Sequence, residues 1–225
     1  MRRPLRWLLT LSLLLALAVP ARAQELKTDE QKTLYALGLI LSQNLATFSL
    51  DAAELDVVKA GMTDGILKKE PKVSLETWGP KIRGLQTARL AVAAAAEKKL
   101  GEVFLAKAAA EKGATKTPSG LVITTLEPGT GPSPKAGDKV KVHYHGSLTD
   151  GTVFDSSVQR GEPITLPLGP GIIKCWGEGV PLMKVGGKSR LVCPADLAYG
   201  DQGRPPRIKP GATLVFEVEL LEIVK

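Results

Sequence analysis

The spacing of apolar positions changes from helical to strand-like near the middle of the chain. In residues 24–116 large side chains recur every three or four positions. Leu34, Leu37, Gly38, Leu41 and Leu45 follow a capping Asp29, and Leu55, Val58, Met62 and Ile66 follow Asp51, with Glu54 placed to complete a capping box. Ser74 or the pair Gly79-Pro80 opens a third helix, in which Ile82, Leu85, Val92, Ala96, Leu100 and Val103 keep helical spacing to about Lys112. About 33 residues at about 1.5 Å each make a rod on the order of 50 Å long. Its second half, EKKLGEVFLAKAAAEKG, alternates charge with alanine and predicts a largely solvated surface. The two shorter helices and the start of the rod hold too few large side chains for a core of their own. Self-association then buries them, with Gly38, Ala46 and the neighbouring leucines in the interface; a small monomeric three-helix bundle is the alternative.

From Thr117 the period becomes two. Leu121 to Leu126, Val140 to Leu148, Thr152 to Phe154, Ser189 to Val192 and Ala212 to Leu221 read as strands separated by Gly- and Pro-rich turns. Val140, Val142 and Tyr144 alternate with Lys141, His143 and His145, so Tyr144 points inward. Asp150-Gly151 is a hairpin signal, and Asp155-Ser156-Ser157 breaks the strand that follows it. Ile172 and Ile173 lead into Lys174-Cys175-Trp176, with Gly177 and Gly179 after, which suits a short helix anchored by Trp176. The predicted fold class is therefore α+β: an antiparallel curved sheet wrapping a short helix, preceded by an all-α domain that ends in a long helix.

The first 23 residues have the three parts of a secretory leader: Arg2, Arg3 and Arg6, the apolar run Trp7 to Val19, and Ala21-Arg22-Ala23. That run is short for a membrane span, and no other segment approaches the length one needs. No cysteine follows it, so this cleavage site does not support a lipid-modified N-terminus. The expected organisation is a leader at 1–23, a helical dimerisation region at 24–79, a connecting helix at 80–116 and a second domain at 117–225. Export also corrects the charge: the leader holds four of the 30 basic residues, and the 26 left against 23 acidic ones give about +3 in place of +7. A nucleic-acid partner loses its motivation, since no basic residues interleave with stacking aromatics. Cys175 and Cys193, the two cysteines, can pair in an oxidising compartment or remain buried thiols; sequence separation does not decide the geometry.

VHYHGSLTDGTVFDSS, the turn Arg160-Gly161-Glu162-Pro163, the run from Gly171-Ile172-Ile173 through Trp176, LAYGDQG and ATLVFEVELL follow one another in an order that resembles the FKBP family of peptidyl-prolyl cis-trans isomerases, from about Pro118 onward. The helical half resembles, on looser motifs, the N-terminal domain that precedes the isomerase in exported bacterial proteins of the macrophage infectivity potentiator and FkpA type. That resemblance implies a homodimer joined through the N-terminal helices. It also implies proline-containing unfolded or partly folded exported proteins as substrates and residence in the bacterial periplasm, with outer-membrane association or secretion left open. No cofactor is implied.

By resemblance, Asp155, Tyr199 and Tyr144 carry the catalysis. Trp176 forms the floor beneath the proline ring, and Phe154 and Phe216 form its walls. Ile172, Ile173, Ile164 and Ile208 add apolar contacts, and Asp155 either orients Tyr144 and Arg160 or polarises the amide. Tyr199 is expected to donate its phenol proton to a substrate carbonyl, and the Ile173 N–H to bind a neighbouring one. Any one of these aromatics alone would be ordinary core. Departures from the family pattern are Ile164, where an aromatic is common, and Arg204 and Arg207 in the flap GDQGRPPRIKPG. They imply an altered preference for the residue before proline and weaken the case for macrolide inhibitors. His143 and His145 place two nitrogens on one strand face, too few for a zinc site, so no metal is expected. Nor does any activated serine arrangement suggest a hydrolase.

Overall fold

The structure, a computed structural model, describes residues 25–224; the leader falls outside them. Helix α1 spans Asp29–Leu45. Its cap is Thr28 rather than the expected Asp29. Thr28 Oγ1 accepts from the Gln31 N–H at 3.1 Å, and Gln31 Oε1 accepts from the Thr28 N–H at 3.2 Å, a reciprocal pair that satisfies two otherwise unpaired donors. Asp29 stands one position later, where its charge suits the positive end of the helix. Helix α2, Ala52–Ile66, starts with the capping box anticipated from Asp51 and Glu54. Neither helix buries a residue, and Leu34, Leu37 and Ile66 are exposed.

Helix α3 runs Leu75–Ala109, and Ser74 is its cap, accepting from the Thr77 N–H at 3.4 Å. Pro80 lies inside the helix and does not open it. Glu54 on α2 pairs with Arg89, and Gln86 donates to Thr47 at 2.8 Å, tying α2 and the preceding 3₁₀ turn to the middle of α3. The helix stops short of residue 116. Gly113, at φ +81°, turns the chain, and Ala114–Lys116 forms strand β1 where a helix was expected.

The second half of α3 is largely exposed, as expected, except along one narrow stripe. Ala94, Gly101 and Ala108, seven residues apart, are buried, and the Gly101 position approaches Thr213 so closely that an added Cβ would lie 2.1 Å from its Oγ1. Further along, Phe104, Leu105 and Ala108 cover Val122, Val192 and Val215 on one face of the sheet. The stripe is made of small residues, which give little periodic signal but let the backbone come close.

The sheet is antiparallel throughout the described residues. Its strands after β1 are β2 Val122–Glu127, β3 Lys139–Leu148, β4 Val153–Ser156, β5 Ile164–Pro167, β6 Lys188–Cys193 and β7 Leu214–Val224. The order is β1-β2-β6-β7-β3-β4, with β5 paired to β3. Between β4 and β5 a single turn, α4 (Ser157–Arg160), reverses the chain. Short helix α5, Lys174–Gly179, buries Cys175 and Trp176 against the other face, and Gly179 sits where a Cβ would meet Leu191 at 2.9 Å. Alternation along β7 buries Leu214, Phe216, Val218 and Leu220, while β3 buries Val140, Val142 and Tyr144, so the main core lies between α5 and the strands. Cys175 and Cys193 are disulfide-bonded, with Cα atoms 5.8 Å apart, which ties α5 to the end of β6.

Candidate active site

Four aromatic rings from four elements meet on the α5 side of the sheet. Trp176 packs edge-on against Tyr144 at 5.2 Å and against Phe216 at 5.5 Å, and Phe216 meets Phe154 at 5.6 Å in the same T-shaped manner. Gly146 makes the cluster possible. A Cβ at that position would lie 2.8 Å from the Phe154 ring and 3.0 Å from Phe216, so only glycine lets both rings rest on β3.

Beside the rings stands one carboxylate. Tyr144 Oη donates to Asp155, Arg160 pairs with the other Asp155 oxygen, and Arg160 Nη2 donates to Tyr144 Oη at 3.0 Å. Burial pushes the Asp155 carboxyl upward, but hydrogen bonds from Tyr144 and Arg160, with the guanidinium charge, outweigh it and hold the carboxyl below its usual range. The Tyr144 phenol is raised, first by burial and then by its bond to Asp155. The backbone beneath is fixed as well: the Tyr144 N–H donates to Ser157 Oγ at 2.8 Å.

A cleft of about 330 Å³ opens above Phe154 and Asp155. Its other walls are Tyr199 and a tight hairpin, Arg204–Ile208, closed by Arg204 N–H to Ile208 O at 2.8 Å and Ile208 N–H to Arg204 O at 3.0 Å. Arg204 lies over the Tyr199 ring at 5.9 Å, and Arg207 Nη1 donates to Phe154 O at 3.2 Å. The loop that carries Tyr199 is braced from behind: Lys98 of α3 reaches Asp196 at 2.8 Å and Asp201 at 2.7 Å, on either side of Tyr199.

Of the residues singled out from sequence, Phe154, Asp155, Tyr199 and Ile208 line this cleft. Trp176, Phe216 and Tyr144 lie in the ring cluster beneath it; Ile164, Ile172 and Ile173 pack against the same core, partly buried. Ile173 is also the residue that caps α5, and its N–H makes no backbone hydrogen bond within the described residues. His143 and His145 face away, paired with Ser157 and Ser156 at 3.1 Å each. Sequence reasoning passed over three contributors. Pro205 and Pro206 shape the flap, and Gly146 admits the rings; its signal was a glycine in the middle of a strand pattern.

Comparison with known proteins agrees with this geometry. Residues 131–221 match the family described as FKBP-type peptidyl-prolyl cis-trans isomerase, and residues 30–123 match the domain amino-terminal to it. The chain is 43 % identical to the FKBP-type isomerase FkpA of Aeromonas hydrophila over 221 residues, covering 92 % of this chain and 81 % of that protein. It is 40 % identical to the FKBP-type 22 kDa isomerase of Escherichia coli, covering 88 % and 97 %. The crystal structure of FkpA from Escherichia coli superposes with a TM-score of 0.64 at 37 % identity, covering 88 % of this chain and 98 % of that one. With relatives matched along most of their length, and both halves of their architecture present, this chain belongs to the FKBP-type peptidyl-prolyl cis-trans isomerase family.

Proposed function

We propose that the chain is an exported, homodimeric peptidyl-prolyl isomerase that speeds the folding of exported proteins by rotating X-Pro bonds at the Phe154–Tyr199 cleft, with no bond formed to the enzyme. Family membership carries the activity. The observation that supports placing it here is the cluster of four rings under a cleft whose one carboxylate is already engaged by Tyr144 and Arg160.

An X-Pro amide rotates over a barrier of about 18 to 20 kcal/mol because its C–N bond has partial double-bond character. Twisting the amide breaks that resonance and reduces its charge separation, so an apolar surface favours the twisted form over the planar one. Phe154, Trp176 and Phe216 supply that surface and grip the proline ring. The Tyr199 phenol donates to a substrate carbonyl, and the Ile173 N–H takes the next one, holding the chain while the amide turns. Asp155 keeps Tyr144 and Arg160 in place at the wall. None of these roles needs a metal or a cofactor.

A refolding protein whose slow phase is proline-limited tests the reading. The chain without its leader is expected to accelerate that phase, and Tyr199→Phe or Asp155→Ala to slow it at least several-fold. A slow phase left at its spontaneous rate by the intact chain would overturn the proposal. The apolar faces of α1 and α2 support the dimer: Leu34, Tyr35, Leu37 and Ile40 are each more than half exposed in the single chain. Sedimentation at micromolar concentration is expected to give twice the chain mass.

Those same faces favour a second reading, in which the helical arms hold unfolded chains and the isomerase domain serves as a peptide-binding module. Two weak sites on one dimer gain by effective concentration. Suppression of client aggregation that survives Tyr199→Phe while isomerisation disappears would separate the two roles.

A further inference from the structure

The mouth of the cleft carries an imbalance of charge. Asp155 is the one carboxylate among its walls, and Arg160 already neutralises it. Arg204 and Arg207 stand at opposite ends of the Arg204–Ile208 hairpin, one over the Tyr199 ring and the other bonded to the Phe154 carbonyl, and among the described residues neither has a carboxylate within ion-pair distance. Acids of the adjoining loop and of α3 have other partners: Asp196 and Asp201 pair with Lys98, and Glu97 with Lys209. Two guanidinium groups therefore flank the entrance with no counter-charge. Their positions are set by the hairpin's two backbone hydrogen bonds and by Ile208, whose buried side chain pins the flap to the core.

We propose that Arg204 and Arg207 make this site prefer an acidic residue, Asp or Glu, immediately before the proline. The inference rests on the reading above that the cleft is the isomerase site. If the proline ring sits on the rings below and Tyr199 takes a nearby carbonyl, the side chain of the preceding residue emerges beside Tyr199, where Arg204 lies. Guanidinium groups present a planar fork that matches a carboxylate, and they shed water more readily than an ammonium. At an exposed rim the attraction amounts to roughly a two- to fivefold preference per cation, and it weakens with salt. A lysine before proline meets repulsion of similar size.

The test uses the full chain without its leader and four peptides that differ only in the residue before proline: Glu, Gln, Leu and Lys. Exchange between cis and trans signals in nuclear magnetic resonance spectra reads the rate without a coupled protease. At about 0.02 M salt the Glu peptide is expected to exceed the Gln peptide in kcat/KM by about fivefold, with Lys below Gln. At about 0.5 M salt the gap should close, a readout that needs no variant. In the double variant Arg204→Gln, Arg207→Gln the Glu to Gln ratio is expected to fall to about one. Equal rates for Glu and Gln at low salt would overturn the proposal. So would a ratio that survives both added salt and the double variant. Activity on Leu-Pro without a Glu advantage removes only the charge preference, whereas no activity on any peptide removes the isomerase reading and this inference with it.

Discussion

On β7, Leu214, Phe216, Val218 and Leu220 are at most 4 % exposed, whereas Leu34, Leu37 and Ile40 on α1 keep 51 to 60 % of their surface open. Both segments carry a regular apolar stripe. The difference lies in what covers it: the strand has α5 and a neighbouring strand on each side, and the helix buries no residue. The same contrast recurs within one helix. Leu75, Trp78, Ile82 and Leu85 of α3 are exposed, while Ala94, Gly101 and Ala108 are buried against the isomerase domain. The docked stretch makes its closest contacts through small residues, while large apolar ones stay exposed along the helix.

The largest way to break this comparison is Trp176→Ala. Removing a buried ring that touches Tyr144 and Phe216 is expected to cost about 3–5 kcal/mol of sheet-domain stability and to abolish measurable isomerisation. Circular dichroism should show the α1 and α2 signal retained at temperatures where the sheet has melted; simultaneous loss would mean that the halves are not independent. Next comes reduction of Cys175–Cys193. A loop with a sequence separation of 18 is closed by that bond, and its loss is expected to lower stability by about 3 kcal/mol, read as a shift in the denaturant midpoint of the sheet domain alone.

Two glycines of α3 sharpen the contrast further. Gly101→Val places side chain where Thr213 already sits and is expected to cost about 1–3 kcal/mol. Gly84→Ala meets nothing within 4 Å and is expected to stabilise the helix by up to about 1 kcal/mol. Thermal melts of both variants check the pair, and equal responses would deny that the two ends of α3 live in different surroundings.

The smallest effect expected is that of pH. Asp155 has its carboxyl held low, so its contribution is present above the unfolded value of about 3.9 and is lost only as pH falls through the lower folded value. Tyr144 is raised, so its contribution is complete below about pH 10 and is lost only as pH rises through the higher folded value. Between about pH 5 and 9, kcat/KM on a Leu-Pro peptide should change less than about twofold. A midpoint near neutrality would show that the Tyr144–Asp155–Arg160 group is not held as described.

Much of this molecule was readable from local pattern. The alternation of Val140, Val142 and Tyr144, the Asp51–Glu54 box, the Asp150-Gly151 turn and the stripe on β7 depend on neighbours within a few residues, and the chain states such relations directly. The ordered blocks around Phe154, Trp176 and Tyr199 pointed to the family for the same reason. Other features were decided at longer range. Thr28 displaced Asp29 as the cap because its hydroxyl could exchange hydrogen bonds with Gln31, a contest between adjacent polar residues that pattern alone does not rank. Residues 114–116 became a strand because β2 was there to pair with them. Docking of α3 turned on Ala94, Gly101 and Ala108, whose value lies in the side chain they lack. Period and polarity report what a residue carries, so close approach through missing atoms, and the gathering of Phe154, Tyr199 and Arg204 around one cleft, became visible only when the chain was folded.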